Sequence, residues 1–132
     1  KNQGRGFALR TAMEHATGDY ALWLDVDMST PLSQVKIFLP YMKKGVPIVI
    51  GSRKIKGANV TKRQPLYRSL MGHVFSKMSE VFLQVPVGDF TCGFKAFSKK
   101  AYQSIFPLTK INRWGNDSES LFLGHKLGFE IK

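Results

Sequence analysis

Side chains that form disulfides or hold soft metals are scarce in this sequence, with one cysteine and three histidines in 132 residues. The lone Cys92 excludes an intrachain disulfide and a zinc framework, favours a reducing compartment, and reads as a small buried hydrophobe. His15, His73 and His125 are spread too widely for ligand or triad spacing. Long apolar runs are missing as well, since none approaches the roughly 20 residues of a membrane span. The opening "KNQGRGFALR" does not read as a signal peptide. Without repeats, low-complexity tracts or Pro/Gly/Ser linkers, the chain reads as one domain, and a 43% hydrophobic fraction suffices for a core.

Acidic residues are the other shortage. Nine Asp and Glu stand against 20 Lys and Arg, a formal net charge of +11. That balance predicts an anionic partner, whether phosphate groups, acidic lipid headgroups or nucleic acid.

Apolar periodicity alternates along the chain. Leu9, Ala12, Met13 and Ala16 recur at helical spacing, with Gly18 as the stop. "YALWL", Tyr20 to Leu24, is short and apolar throughout, like a strand covered on both faces. Thr30-Pro31 reads as a helix start, and Pro40 should kink or end that helix. "VPIVIGS" is a second buried strand. A long amphipathic helix follows from about Pro65, with Leu66, Leu70, Val74, Met78 and Phe82 on one stripe. "GFKAFS" reads as a strand, "NDSESLFLGHKLG" as a helix closed by Gly128, and "FEI" as the start of another strand. The alternation predicts an α/β domain whose mainly parallel sheet is flanked by helices.

Ligands of open α/β sheets bind beyond the carboxyl ends of the strands. Asp25 and Asp27 of "LWLDVDMSTP" stand there, and carboxylates at i and i+2 of an extended segment can share a hard divalent cation. A solvated loop with an aspartate capping the next helix is the plainer reading. In "NQGRGFAL", the glycines either let backbone approach an anion, with Arg5 reaching a diphosphate, or make an ordinary helix entry. Gly51 and Ser52 end a strand on the same edge, so Arg53 projects into the same crevice. Lys54, Lys56, Lys62, Arg63 and Arg68 follow, and Arg53 and Arg68 have the forked geometry that suits phosphate oxygens. Asp89 precedes the glycine-bounded strand. Asp117 and Glu119 open a helix, where acidic residues also complement the helix dipole.

Together, "NQGRGFALRTAMEHATGDYALWLDVDMSTP", "IGSR", the arginine before "SLMG", "GDFTCGFKAFSK" and "GNDSESL…GHKLGFEI" resemble the inverting family-2 glycosyltransferases. The similarity is to the polyprenyl-phosphate sugar transferases, such as the dolichyl-phosphate mannose and glucose synthases. It implies a GT-A (Rossmann-like) fold and transfer of a sugar, with inversion, from a nucleotide-diphosphate sugar to a polyprenyl (dolichyl or undecaprenyl) phosphate. It also implies Mg²⁺ or Mn²⁺ seated at Asp25 and Asp27, which with Arg5 would meet the nucleotide sugar. Arg53 and Arg68 match the pair that holds the acceptor phosphate and stabilises the leaving diphosphate. Asp89 matches the acidic residue facing sugar and acceptor, and Asp117 a later acidic position near the reaction centre. The family's first strands, with their "PxYNE"-like motif, are not in this sequence, so residues 1–132 are expected to be a partial catalytic domain, incomplete at the N-terminal side. Its expected place is the cytoplasm, on the cytoplasmic face of an anionic membrane. No nucleic-acid partner is expected. Transfer to a hydroxyl of a glycan or small acceptor is the alternative reaction, and a basic nucleic-acid-binding module is the rival from another class.

Overall fold

The computed structural model describes residues 2–53 and 66–132; the side chains of Leu66, Arg68, Ser69 and His73 are outside that description. Its elements run α1 (Arg5–Glu14), β1 (Tyr20–Leu24), a 3₁₀ turn (Leu32–Gln34), α2 (Val35–Lys43), β2 (Ile48–Ile50) and α3 (Leu66–Leu83). Then come β3 (Phe94–Ser98), α4 (Lys99–Ile105), a second 3₁₀ turn (Phe106–Leu108) and α5 (Asn116–Lys126).

Both expected strands form where apolar residues run without interruption, although in β1 only Trp23 is buried and its neighbours are half-buried, and β3 lies between them in the order β1-β3-β2. Alternation then sorts the side chains onto two faces. Phe94 and Ala96 pack with Phe38, Val46 and Val49 beneath α2, while Phe97 joins Trp23, Ile48, Tyr102, Ile105 and Leu121 beneath α1, α4 and α5. Ser98 ends β3 and caps α4, its Oγ accepting from the Ala101 N–H at 3.3 Å.

The expected mainly parallel sheet needs correction. Both described strand pairings are antiparallel, because β3 runs against β1 and β2, pairing Trp23 with Lys95 and Ile48 with Phe97. A parallel bridge, Ile48 to Ile131, accounts for the strand start expected at "FEI". Burial on both faces constrains what covers a strand and not its direction. Direction is set by the 84–93 connection, which delivers the chain to the edge where β1 and β2 finish. There the Asp25 N–H donates to the Gly93 carbonyl at 3.0 Å, and the Gly51 N–H to the Phe94 carbonyl at 2.8 Å.

Two smaller expectations also shift. α1 stops at Glu14, so Gly18 lies beyond it, its carbonyl accepting from the Tyr102 hydroxyl at 2.9 Å. The helix around Pro40 runs on to Lys43. The amphipathic helix forms as α3, and its stripe points to solvent: Leu70, Val74, Met78 and Phe82 are all more than half exposed.

Candidate active site

Two ionic networks assemble at the edge where β3 begins. The first starts with a lysine at the second position of β3. Lys95 is fully buried, its Nζ donating to Asp117 Oδ1 at 2.7 Å and to the Cys92 carbonyl at 2.6 Å, and it sits 4.5 Å from the centre of the Trp23 ring. Asp117 Oδ2 accepts from Arg5 Nη1 at 2.7 Å, and Arg5 Nη2 reaches Asp25 Oδ1 at 2.6 Å. The order Lys95–Asp117–Arg5–Asp25 therefore alternates in sign and links β3, α5, α1 and the end of β1.

Burial pushes the Lys95 ammonium below its usual range against the pull of Asp117. Burial also opposes charge on Arg5, but Asp117 and Asp25 outweigh it and hold the guanidinium above its usual value. Beside Arg5, an open cleft of about 350 Å³ is lined by Asn2, Gly4, Arg5, Arg113 and Trp114.

The second network surrounds Asp89, which is fully buried. Arg53 Nε meets Asp89 Oδ2 and Arg53 Nη2 meets Oδ1, both at 3.1 Å, a fork-on-fork pairing. The Arg53 N–H adds a bond to Oδ2 at 3.2 Å, and Thr91 donates to Oδ1 through its N–H and its hydroxyl. Burial alone would raise the Asp89 carboxyl, yet the bonds from Arg53 and Thr91 hold it below the usual carboxylate range. Its hydrogen bond to Asp89 raises Arg53 in turn, and Asp25 is near enough to contribute. Half of the Arg53 side chain stays exposed, leaving it a face for an anion.

The aspartate pair lies on a turn and not on an extended segment: the Met28 N–H closes onto the Asp25 carbonyl at 3.0 Å. Asp25 points back to Arg5. Asp27 is exposed, with one oxygen accepting from the Ser29 N–H at 3.0 Å. Gly93 makes room for the first carboxylate, since a Cβ there would collide with the Asp25 side chain. Among the described residues no three His, Cys, Asp or Glu side chains converge on one point. Two hard carboxylates on one turn still fit the minimal protein share of a Mg²⁺ or Mn²⁺ seat, completed by substrate phosphates and water.

Five of the residues singled out from sequence thus converge: Arg5, Asp25 and Asp117 in one network, Arg53 and Asp89 in the other. Asp27 stands on the same turn outside both. Lys54, Lys56, Lys62 and Arg63 lie outside the described residues, as does the side chain of Arg68. The glycines of "NQGRGFAL" serve the fold: a Cβ at Gly4 would strike the Asn112 carbonyl and one at Gly6 the Ile111 carbonyl. The Asn112 oxygen caps α1 by accepting from the Gly6 and Phe7 N–H groups. Asp117 and Glu119, alike in sequence, part company. Glu119 accepts from the Lys110 and Ile111 N–H groups and ties down a loop, while Asp117 joins the ionic network. Cys92 is buried and its thiol is raised by burial, in keeping with a packing role. Lys95, Thr91 and Gly93 were not foreseen. The available signal for Lys95 was a charge within an otherwise apolar strand.

Residues 1–106 match the family described as glycosyl transferase family 2. The chain is 30% identical over 129 residues to the glycosyltransferase AglD of Haloferax volcanii, covering 97% of this chain and 20% of that protein. It is 28% identical over 136 residues to the dolichyl-phosphate beta-glucosyltransferase of Dictyostelium discoideum, covering 99% and 42%. Against the Saccharomyces cerevisiae protein of the same name it is 28% identical over 145 residues, covering 100% and 43%. The chain therefore spans between one fifth and about two fifths of the length of these relatives.

Proposed function

The chain belongs to glycosyl transferase family 2, and we propose that the protein transfers a sugar, with inversion, from a nucleotide-diphosphate sugar to a polyprenyl phosphate. The observation that carries this reading is the state of the buried carboxylates. Both oxygens of Asp89 and both oxygens of Asp117 are engaged by cationic or hydroxyl donors. Asp89, held in its charged form by Arg53 and Thr91, is a poor base for a hydroxyl acceptor, and Asp117 is committed to Lys95 and Arg5. A phosphate monoester needs no such base, because its second pKa is about 6 and its oxygen is already ionised near neutrality. Half-exposed Arg53, aimed by Asp89 and Thr91, is suited to hold that anion and to offset charge on the departing diphosphate. Two relatives named as dolichyl-phosphate glucosyltransferases support the same acceptor.

Asp25 and Asp27 would hold Mg²⁺ or Mn²⁺, which when bound supplies Lewis-acid neutralisation of the diphosphate. Arg5 lies beside them and next to the open cleft, which gives the nucleotide sugar room. Arg68 would add a second guanidinium at the acceptor phosphate.

The α3 face supports a membrane setting. Leu70, Met71, Val74, Phe75, Met78, Val81 and Phe82 are all exposed, in a chain of net charge +11. We take the occupant of that face to be an anionic bilayer, the surface in which a polyprenyl phosphate resides. Among the described residues no helix is long and apolar enough to cross a membrane.

The test uses the intact protein with a panel of labelled nucleotide sugars, Mn²⁺ or a chelator, and either polyprenyl phosphate or a free glycan as acceptor. Label is expected in the lipid phosphate only, and only with metal. Transfer to the glycan alone would overturn the acceptor, and unchanged transfer under the chelator would overturn the metal. Flotation with phosphatidylglycerol vesicles is expected to show salt-sensitive binding. Equal recovery with neutral vesicles would remove the anionic surface from the proposal.

A further inference from the structure

Arg5 straddles two carboxylates, giving Nη1 to Asp117 and Nη2 to Asp25. That is not the arrangement a guanidinium prefers, because a single carboxylate offers a parallel two-bond fork. Arg53 takes that preferred arrangement on Asp89 a short distance away. What differs at Asp117 is a second cation: its Oδ1 is already occupied by Lys95 Nζ at 2.7 Å. We propose that Lys95 is a positioning residue that, by occupying one oxygen of Asp117, keeps the second nitrogen of Arg5 on Asp25.

Several features point to this role and away from packing. Lys95 is fully buried between apolar neighbours on β3, where a methionine of similar length would fill the space without a charge to compensate. Its ammonium is fixed from three sides, by Asp117, by the Cys92 carbonyl and by the face of Trp23, its partner across the strands. The Trp23 ring also lies 5.1 Å from the Arg5 guanidinium, so one indole is shared by both cations. Among the described residues no hydrogen bond joins Lys95, Asp117, Arg5 or Asp25 to Arg53 or Asp89, and Asp25 acts on Arg53 only through space, so the effect should fall mainly on one substrate.

The proposal rests on the reading of Arg5 and Asp25 as the nucleotide-sugar side of the site. Lys95→Met in the intact protein is expected to raise KM for the nucleotide sugar about tenfold, the value of one charge-assisted hydrogen bond, while KM for polyprenyl phosphate stays within about twofold. Lys95→Gln, which keeps a donor for Asp117, is expected to return the nucleotide-sugar KM to within about threefold of the parent. An unchanged KM in Lys95→Met, equal rises in both KM values, or no recovery in Lys95→Gln would each overturn the proposal. If Lys95→Met does not fold, Lys95→Met/Asp117→Asn removes the carboxylate that loses its lysine partner. That variant is expected to keep a near-parental nucleotide-sugar KM, and a tenfold rise would overturn the idea. A crystal structure of Lys95→Met, or of the double variant, separates this idea from the functional reading, because it needs no substrate. In Lys95→Met both terminal nitrogens of Arg5 should lie on Asp117 with Asp25 released; in the double variant Arg5 should remain on Asp25. Arg5 still astride both carboxylates in Lys95→Met, or gone from Asp25 in the double variant, would overturn the proposal even if no nucleotide sugar is ever turned over.

Discussion

Arg53 is held by a carboxylate with no solvent exposure, and that fixes what its removal should do. Arg53→Met strands a buried charge. Stranding one costs about 3–5 kcal/mol in the extreme, and the half-exposed guanidinium places this case lower, near 2 kcal/mol. Arg53→Met/Asp89→Asn should recover most of that loss in urea unfolding while turnover stays reduced by about 100-fold or more. Asp89 also sets an acid limit. Its carboxyl is held below the usual range, so its stabilisation is complete above about pH 4, the unfolded value, and drains away as pH falls through the lower folded value. Unfolding free energies from pH 7 down to pH 3 should show this loss in the parent and a flatter acid limb in Asp89→Asn. Gly93 makes a third case. A methyl there enters the space of the Asp25 side chain, so Gly93→Ala should leave circular dichroism unchanged while Mn²⁺-dependent binding of the nucleotide sugar weakens at least tenfold by calorimetry.

Among the elements, α3 shows most plainly where amphipathic pattern and burial diverge. A stripe at helical spacing was visible in the sequence, and such stripes commonly face a core, yet Val74 and Met78 face outward. Periodicity identifies a face and leaves its partner open. Val74→Glu/Met78→Glu should therefore change stability by less than about 0.5 kcal/mol per site and should abolish flotation with anionic vesicles. A loss of several kcal/mol would return the stripe to the interior. The strands were easier. "YALWL" is β1 to the residue, because a short apolar run behind a glycine and before a turn leaves little choice. The orientation of β3 was not legible, since it depends on where the 84–93 connection arrives. Its lysine was visible as an anomaly in an apolar strand, but two of the partners that explain it, Asp117 and Trp23, lie 22 and 72 positions away.

For the whole molecule, composition raised the expectation of an anionic partner and motif order indicated the family, while the candidate site had to be assembled from parts far apart in sequence. Arg5 and Asp117 are 112 residues apart and meet within hydrogen-bonding distance. A site built from such distant pieces should be ordered by its ligands. Nucleotide sugar with Mn²⁺ at about 100 times Kd is expected to stabilise the fold by about 2.7 kcal/mol, read as a rise in Tm. Chelation should cancel that rise, and a Tm indifferent to both additions would count against the two-carboxylate seat.

The place of β3 between β1 and β2 also governs how this molecule is born. The ribosome makes the two outer strands first, and neither has a described partner other than a strand that arrives dozens of residues later or the chain around Ile131. Until Phe94–Ser98 emerges, the edge of each ribbon that it will occupy stays open, a window of synthesis in which those two edges are exposed to proteases and chaperones. Pairing of that late strand closes the window for both neighbours at once.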